Sequence, residues 1–510
     1  MFPQSQFEPM VRCGLATVLI PVAFLMCCVT GCRSTSHALS RIRDNQPAVA
    51  NTEPYAERGE FETAESPVRL VAFEAGLQER QLEANIHQPA EWLVTSDLAE
   101  LEVAAQSGNR DLRRINQEAA AAWAKVRYVD KLPDPMVGAN VFGNPIETAA
   151  GSQRANLTVS QMIPWLERLD AQSQQACYEA MAMQQNYQAE RLKVIGELRT
   201  NWAKLYVLGR QLETVKANQQ LLQSLGDLVT ARLGQNRGSV GDVTLLTVEL
   251  GRLEEQLVIT TQQIRSTTAE MNRLIGRPAE TPIGIPQVLP SELPPWSHDM
   301  LRQWAWERQP AIAAAQLRTS ASRWGIEVAE LRRRPDVSIG ASWFLIDDNR
   351  PPSTVVDVGQ DAWSIGAQVS VPLWAEKYDA MQDEATWKHF AAQSSVQDLR
   401  LKYDATLRDL WEQAKAAHET ATLYQSTIIP QARQTLDADQ QALANGTVDF
   451  DRVIQDIRNL LMLQLGHDRA LGQLAMSIAR IRQSVGVDLS TTSNASADTA
   501  PLPLMPPAIE

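Results

Sequence analysis

The chain is written twice. Ser96-Asp97 opens an apolar-periodic segment that runs to KLPDP at 131–135, and Ser297 with Asp299 opens another that runs to RRRPD at 332–336. Cap residues at the start and proline at the end mark each segment as a helix. An alternating stretch follows in both halves, through Val137, Ala139 and Val141 in the first and through Val337, Ile339 and Ala341 in the second. Next comes a loop rich in Gly, Pro, Asn and Asp, GNPIETAAGSQR or DDNRPPSTVVDVGQD, and then a second alternating stretch, NLTVSQMIP or AWSIGAQVSVPLW. A period of two makes distinct faces only in an extended strand, so each half carries one hairpin. In the last stretch Trp363, Ile365, Ala367, Val369 and Val371 alternate with Ser364, Gly366, Gln368 and Ser370, an apolar face backed by a small polar one.

Pro164 and Pro372 close the second strands and start long helices, in a first turn whose amides lack helical partners anyway. Apolar residues at three/four spacing run from Ile195 to Leu233 and again from Leu399 to Ile428, a coiled-coil seam rather than the stripe of a short globular helix. Helices reaching Gly234 and Asn445 would each be on the order of 100 Å long. Glycine turns around Gly238 (NRGSVGD) and Gly446 (ANGTVDFD) then reverse the chain into shorter helices. The repeated unit is helix, strand, strand, long helix, shorter helix. The two shorter helices of a unit, stacked end to end, would match its long one. The repeats occupy 95–278 and 297–487, joined by a linker at 279–296. Residues 32–94 read as a leading linker and 488–510 as a Pro/Ser/Thr-rich tail, both expected to be mostly disordered.

Four strands, apolar on one face, have the length and patterning of segments that cross an outer membrane in a barrel. Trp165, Trp343, Trp363 and Trp374 lie within or at the ends of the strands, where an aromatic belt would place them. The fold class expected is mainly α with a membrane β-barrel portion. Four strands cannot close a barrel, so a spanning barrel needs several chains. The other reading of the pattern is a small soluble sheet packed on helices.

Cys13, Cys27, Cys28 and Cys32 crowd the start of the chain. An apolar run from Cys13 to Val29, preceded by Arg12, reads as a secretory signal over residues 1–31. Val29-Thr30-Gly31-Cys32 ends it and resembles a bacterial lipobox, which makes Cys32 the expected lipidated first residue of the mature chain. An uncleaved anchor with a chance cysteine is the alternative. After cleavage at Cys32, Cys177 is the one other cysteine, so no internal disulfide is expected.

A formal charge of −13 argues against a nucleic-acid partner, which needs clustered Lys and Arg. The histidines at 37, 87, 298, 389, 418 and 467 lack ligand spacing, and no Gly-rich phosphate loop or nucleophile elbow occurs. No catalytic residue, metal site or cofactor is expected.

The duplicated layout resembles the TolC-like outer membrane efflux family, the outer membrane factors of tripartite pumps. The resemblance covers about residues 95 to 487, and its most telling stretches are LPDP, VSQMIPW, VSVPLW and IIPQARQTLDADQQALANGTVDFDRVIQDIRNLL. It implies a homotrimer with a 12-stranded barrel in outer membrane lipid and a helical tunnel through the periplasm. That tunnel would dock on a periplasmic adaptor linked to an inner-membrane pump or a type I secretion ATPase. LPDP and SQMIP lean toward the heavy-metal branch of the family. Members of the family can carry paired aspartates just after the second glycine turn, ringing the tunnel mouth. Arg452 and Gln455 line up with those positions here, and Asp449, Asp451 and Asp456 lie beside them. These three are the candidate mouth residues, with helix capping and a solvated face as the plainer role. The rival to a channel is a lipid-anchored periplasmic coiled-coil adaptor or spacer.

Overall fold

The computed structural model describes residues 97–234, 239–289, 292–348 and 358–486, excepting the side chain of Arg232. Cys32, Gly238, the signal, the leading linker and the tail lie outside the described residues. The first repeat consists of α1 (Leu98–Gly108), α2 (Arg110–Val126), β1 (Met136–Thr148), β2 (Gly151–Ile163), α3 (Leu166–Gly234) and α4 (Val240–Ile275). The second consists of α5 (His298–Arg308), α6 (Pro310–Leu331), β3 (Val337–Asp347), β4 (Ala362–Val369), α7 (Ala375–Leu423), a π turn (Tyr424–Ile428), α8 (Ile429–Ala444) and α9 (Phe450–Val485).

Each leading helix, expected as one piece, is broken in two at the same place. Asn109 ends α1 and caps α2, its Oδ1 accepting from the amides of Asp111 and Leu112, both at 2.9 Å. Gln309 takes the corresponding position, held extended by the proline that follows it. Both carboxamides also reach the far end of their repeat. Asn109 Nδ2 donates to the Leu274 carbonyl at 2.8 Å, and Gln309 Nε2 donates to those of Gln483 and Ser484 at 3.0 and 2.8 Å. The C-terminus of α4 therefore abuts the N-terminus of α2, and that of α9 abuts α6, the end-to-end stacking expected from the helix lengths. Gly276 and Gly486 close these joints in the left-handed conformation, both with φ 85°. A methyl group on Gly276 would collide with the Gly108 carbonyl, and one on Gly486 with that of Arg308.

The helices stand in four columns. α3 is flanked by α2 and α4 on one side and by α6 and α9 on the other. α6 and α9 pack in turn on α7, and α9 also on α8. Leu198, Leu205, Leu208, Val215, Leu222 and Val229 of the expected seam are buried along α3, and Leu407, Leu410, Ala414, Ala417 and Ala421 along α7. One core cluster joins the lower halves of α3, α4, α8 and α9 through Val215, Leu222, Leu253, Leu436, Phe450 and Ile454. Two smaller ones surround the joints, around Leu112 and Leu274 in the first repeat and around Leu301 and Ile481 in the second.

The second long helix departs from the first at Pro430. Proline has no amide to donate, and its ring crowds the carbonyl four residues back. The π turn immediately before it widens the helix, with Ile429 N bonding Tyr424 O, and the chain continues as α8.

All four strands form one antiparallel sheet in the order β1-β2-β3-β4. GNPIETAAGSQR is not a loop. β1 runs to Thr148, β2 starts at Gly151, and a bulge between Val141 and Ile146 absorbs Gly143-Asn144-Pro145. β1 is an edge strand, where a missing proline amide costs no ladder bond. Pro164 and Pro372 also sit differently from expectation. They precede rather than begin α3 and α7, which start at Leu166 and Ala375: Pro164 directly follows β2, Pro372 lies beyond the end of β4 at Val369, and a tryptophan precedes each helix.

Candidate functional site: a two-faced sheet and an acidic helix turn

Cross-strand register sorts the sheet into two faces. Val137 stands opposite Val159, Leu157 opposite Trp343, Ala341 opposite Ile365, Trp343 opposite Trp363 and Val337 opposite Val369, all on one face. The other face carries Asn140, Asn156, Thr158, Ser160, Ser338, Gly340, Ser342, Ser364, Gly366 and Gln368. The apolar face is bare: Val141 is 83% exposed, Ile365 72%, Trp363 66% and Val369 55%. No helix among the described residues covers it. A continuous apolar surface of this kind needs a non-aqueous neighbour. The outer edges of β1 and β4 carry no partner strand within the sheet.

Below the sheet, the neck fastens one repeat to the other. Asp336, between α6 and β3, accepts from the Trp165 amide at 3.2 Å and from Arg168 Nη2 at 2.7 Å, with both side chains of the ion pair less than one fifth exposed. Its amide donates to the Ser370 hydroxyl oxygen at 2.9 Å, so one residue holds the ends of β2, β3 and β4. Arg334 lies 5.7 Å over the Trp165 ring, while Trp374 is 74% exposed at the end of the fourth strand. Asp336 was not singled out from the sequence, although its place after proline at a helix exit was the available signal.

At the other end, Gly446 turns the chain with φ 76°, and Thr447 N bonds Ala442 O at 3.0 Å. The three candidate aspartates do not share one role. Asp449 is the N-cap residue of α9 but makes no side-chain cap bond. Asp451 is exposed and accepts from Gln455 Nε2 at 2.6 Å. Asp456 turns inward: Arg452 Nε lies 3.1 Å from Asp439 Oδ2 and 3.9 Å from Asp456 Oδ2. Burial, followed by the neighbouring Asp439 carboxylate, pushes the Asp456 carboxyl above its ordinary value. Asp439 is held below its own by its hydrogen bond with Asp456 and by Arg452. Sequence reasoning missed Asp439, which is brought to Asp456 by the reversal of the chain at Gly446. Glu249 of α4, 5% exposed, is neutralised by Arg458 of α9 at 2.7 Å. Among the described residues no group of three His, Cys, Asp or Glu side chains is arranged to hold a metal, and no helix is long and apolar enough to cross a membrane. Cys177 is buried and outside any disulfide.

This architecture, two helix-hairpin-helix repeats sharing one exposed sheet, is the fold of outer-membrane channels. The chain is similar to the outer-membrane channel OprN (TM-score 0.65, 20% identity, 77% of this chain and 90% of that one). It is similar to CusC, whose structures concern transmembrane channel formation (TM-score 0.66, 15% identity, 78% and 93%). A third likeness is to the outer membrane protein VceC of Vibrio cholerae (TM-score 0.65, 18% identity, 76% and 96%). At these identities the likeness establishes the fold. In sequence, residues 301–487 match the family model described as outer membrane efflux protein, so the resemblance read from the repeats is to this family. No curated protein matches the chain.

Proposed function

We propose that the chain is an outer membrane efflux protein. In this reading three copies close a 12-stranded barrel in the outer membrane, their helices form a tunnel into the periplasm, and the assembly is a passive conduit. The observation that carries the proposal is the bare apolar face of a sheet with two open edges, set on duplicated helices of channel fold. A periplasmic coiled-coil spacer has no use for such a face. The repeats keep the bounds 95–278 and 297–487, and Cys32 anchors the mature N-terminus through lipid. The partners are a periplasmic adaptor and an inner-membrane pump, with the LPDP and SQMIP stretches favouring the heavy-metal branch. Asp449, Asp451 and Asp456 contribute negative charge at the periplasmic mouth, where three copies bring nine carboxylates near one axis and favour cations. Transport here needs no catalysis by this chain.

The test is reconstitution of the purified lipidated protein in planar bilayers. A stable cation-selective conductance is expected, and Asp449→Asn, Asp451→Asn and Asp456→Asn together lower its selectivity. Release of the chain into buffer once the lipid-bearing N-terminus is cut away, without detergent, would refute the channel. Mass spectrometry that finds Cys32 unmodified would remove the anchor alone.

A further inference from the structure

The seam between β2 and β3 joins the two repeats within one chain, and the pseudo-symmetry of the repeats carries that seam onto the two open edges. Each hairpin has the same internal pairing. Val137, Gly138 and Ala139 face Val159, Thr158 and Leu157, while Ile339, Gly340 and Ala341 face Ala367, Gly366 and Ile365. Gly138-Ala139 is thus the counterpart of Gly340-Ala341, and Leu157 of Ile365. The same spacing brings Pro164 onto Pro372 and Gly238 onto Gly446. Across the seam Val159 stands opposite Ala341, Leu157 opposite Trp343 and Gln161 opposite Ile339.

We propose that the open edge of β4 takes β1 of a second copy of this chain in the register of the β2–β3 seam. Ala367 then stands opposite Ala139 of the next copy, Ile365 opposite its Val141 and Val369 opposite its Val137. The assignment rests on the multi-chain barrel proposed above and adds the residue pairing to it.

Two features agree with this register, neither used to derive it. A slip of one residue would turn every side chain of one strand to the wrong face. In the assigned register the apolar set of β4 meets the apolar set of β1, which leaves slips of two residues as the competitors. The helices ask for the same neighbour. α3 is covered on both flanks, whereas α7, its counterpart, leaves Trp387 70%, Leu401 69% and Phe390 49% exposed. The counterparts of α6 and α9, which cover α3, are α2 and α4 of the next copy, and α4 leaves Val248 and Val258 exposed. One contact does not transfer: Glu376 occupies the position equivalent to Arg168, so the ion pair to Asp336 has no equivalent between copies.

The experiment is disulfide trapping in the full-length protein with Cys177→Ala. Two matched pairs, Ala367→Cys with Ala139→Cys and Val369→Cys with Val137→Cys, are compared with two offset pairs, Ala367→Cys with Val137→Cys or with Val141→Cys. Opposed residues come within disulfide reach, while diagonal neighbours are about 7 to 8 Å apart. The size of each detergent-solubilised variant is measured before oxidation. The matched pairs should give covalent trimers at about tenfold the yield of the offset pairs. Trimers that crosslink through an offset pair, or through none, overturn the register and leave the barrel standing. A parent protein that is monomeric before oxidation overturns the barrel, and the register with it.

Discussion

Gly276 and Gly486 are tightly constrained, because each combines a left-handed backbone with a carbonyl where a side chain would go, and Gly151, at φ 135°, meets the Asp347 carbonyl in the same way. Gly276→Ala should lower stability by about 1 to 3 kcal/mol, whereas Gly251→Ala, in the interior of α4 where the added methyl meets open space, should raise it by about 0.5 to 1 kcal/mol. Thermal unfolding in detergent would compare them. Asp456 makes a pH prediction. Its folded pKa is raised, so its stabilising contribution is complete in acid, below the unfolded value, and is lost as pH rises through the folded value. Asp456→Asn should therefore be more stable than the parent at neutral pH, with the difference shrinking on acidification, as a series of melting curves across pH would record. The turn at Gly446 was legible, because glycine after Asn445 is a helix-stop signal. The breaks at Asn109 and Gln309 were legible too, in Gly108-Asn109 and Gln309-Pro310, but long apolar periodicity on both sides outweighed them. The approach of Asp439 to Asp456 was not, since no local pattern specifies which side chains meet across a reversal.

Among the elements, the π turn solves a problem of phase. Leu407, Ala414 and Ala421 bury at intervals of seven along α7, yet the next buried residues on this helix are Leu436 and Leu443, one position later than that interval continues. An uninterrupted α-helix would rotate the lower seam by about 100° away from α9. The extra residue held in Tyr424–Ile428 restores it. Deleting Ser426 together with Pro430→Ala should yield a straight helix of nearly unchanged melting temperature. Deletion of Gln413 with no compensating turn should shift the seam and cost several degrees. The slip and the proline are both visible in the sequence, but a regular three/four spacing tolerates either reading until a partner helix fixes the face. The first hairpin loop was overcalled for a related reason: Gly, Pro and Asn signal a loop unless a bulge on an edge strand can absorb them.

For the whole molecule, alternation along the strands foretold both faces of the sheet, and the duplicated layout foretold the helical columns. What no pattern along the chain could say is that, among the described residues, no helix would cover the apolar face. Ile339→Arg should cost about 2 to 4 kcal/mol and reduce assembly in membranes if this residue lies near the bilayer midplane, whereas Ser338→Arg on the opposite face should be tolerated. Quantifying detergent-resistant trimer for the two variants distinguishes them. The two open edges of the sheet also carry a genetic consequence. If a ring of three closes only when every edge is matched, one copy with a spoiled β4 disables the two intact copies bound to it. Expressed at equal levels beside the parent, such a variant leaves about one assembly in eight wholly intact, so a defect in this strand should behave as dominant, while a null allele of the same gene should be recessive.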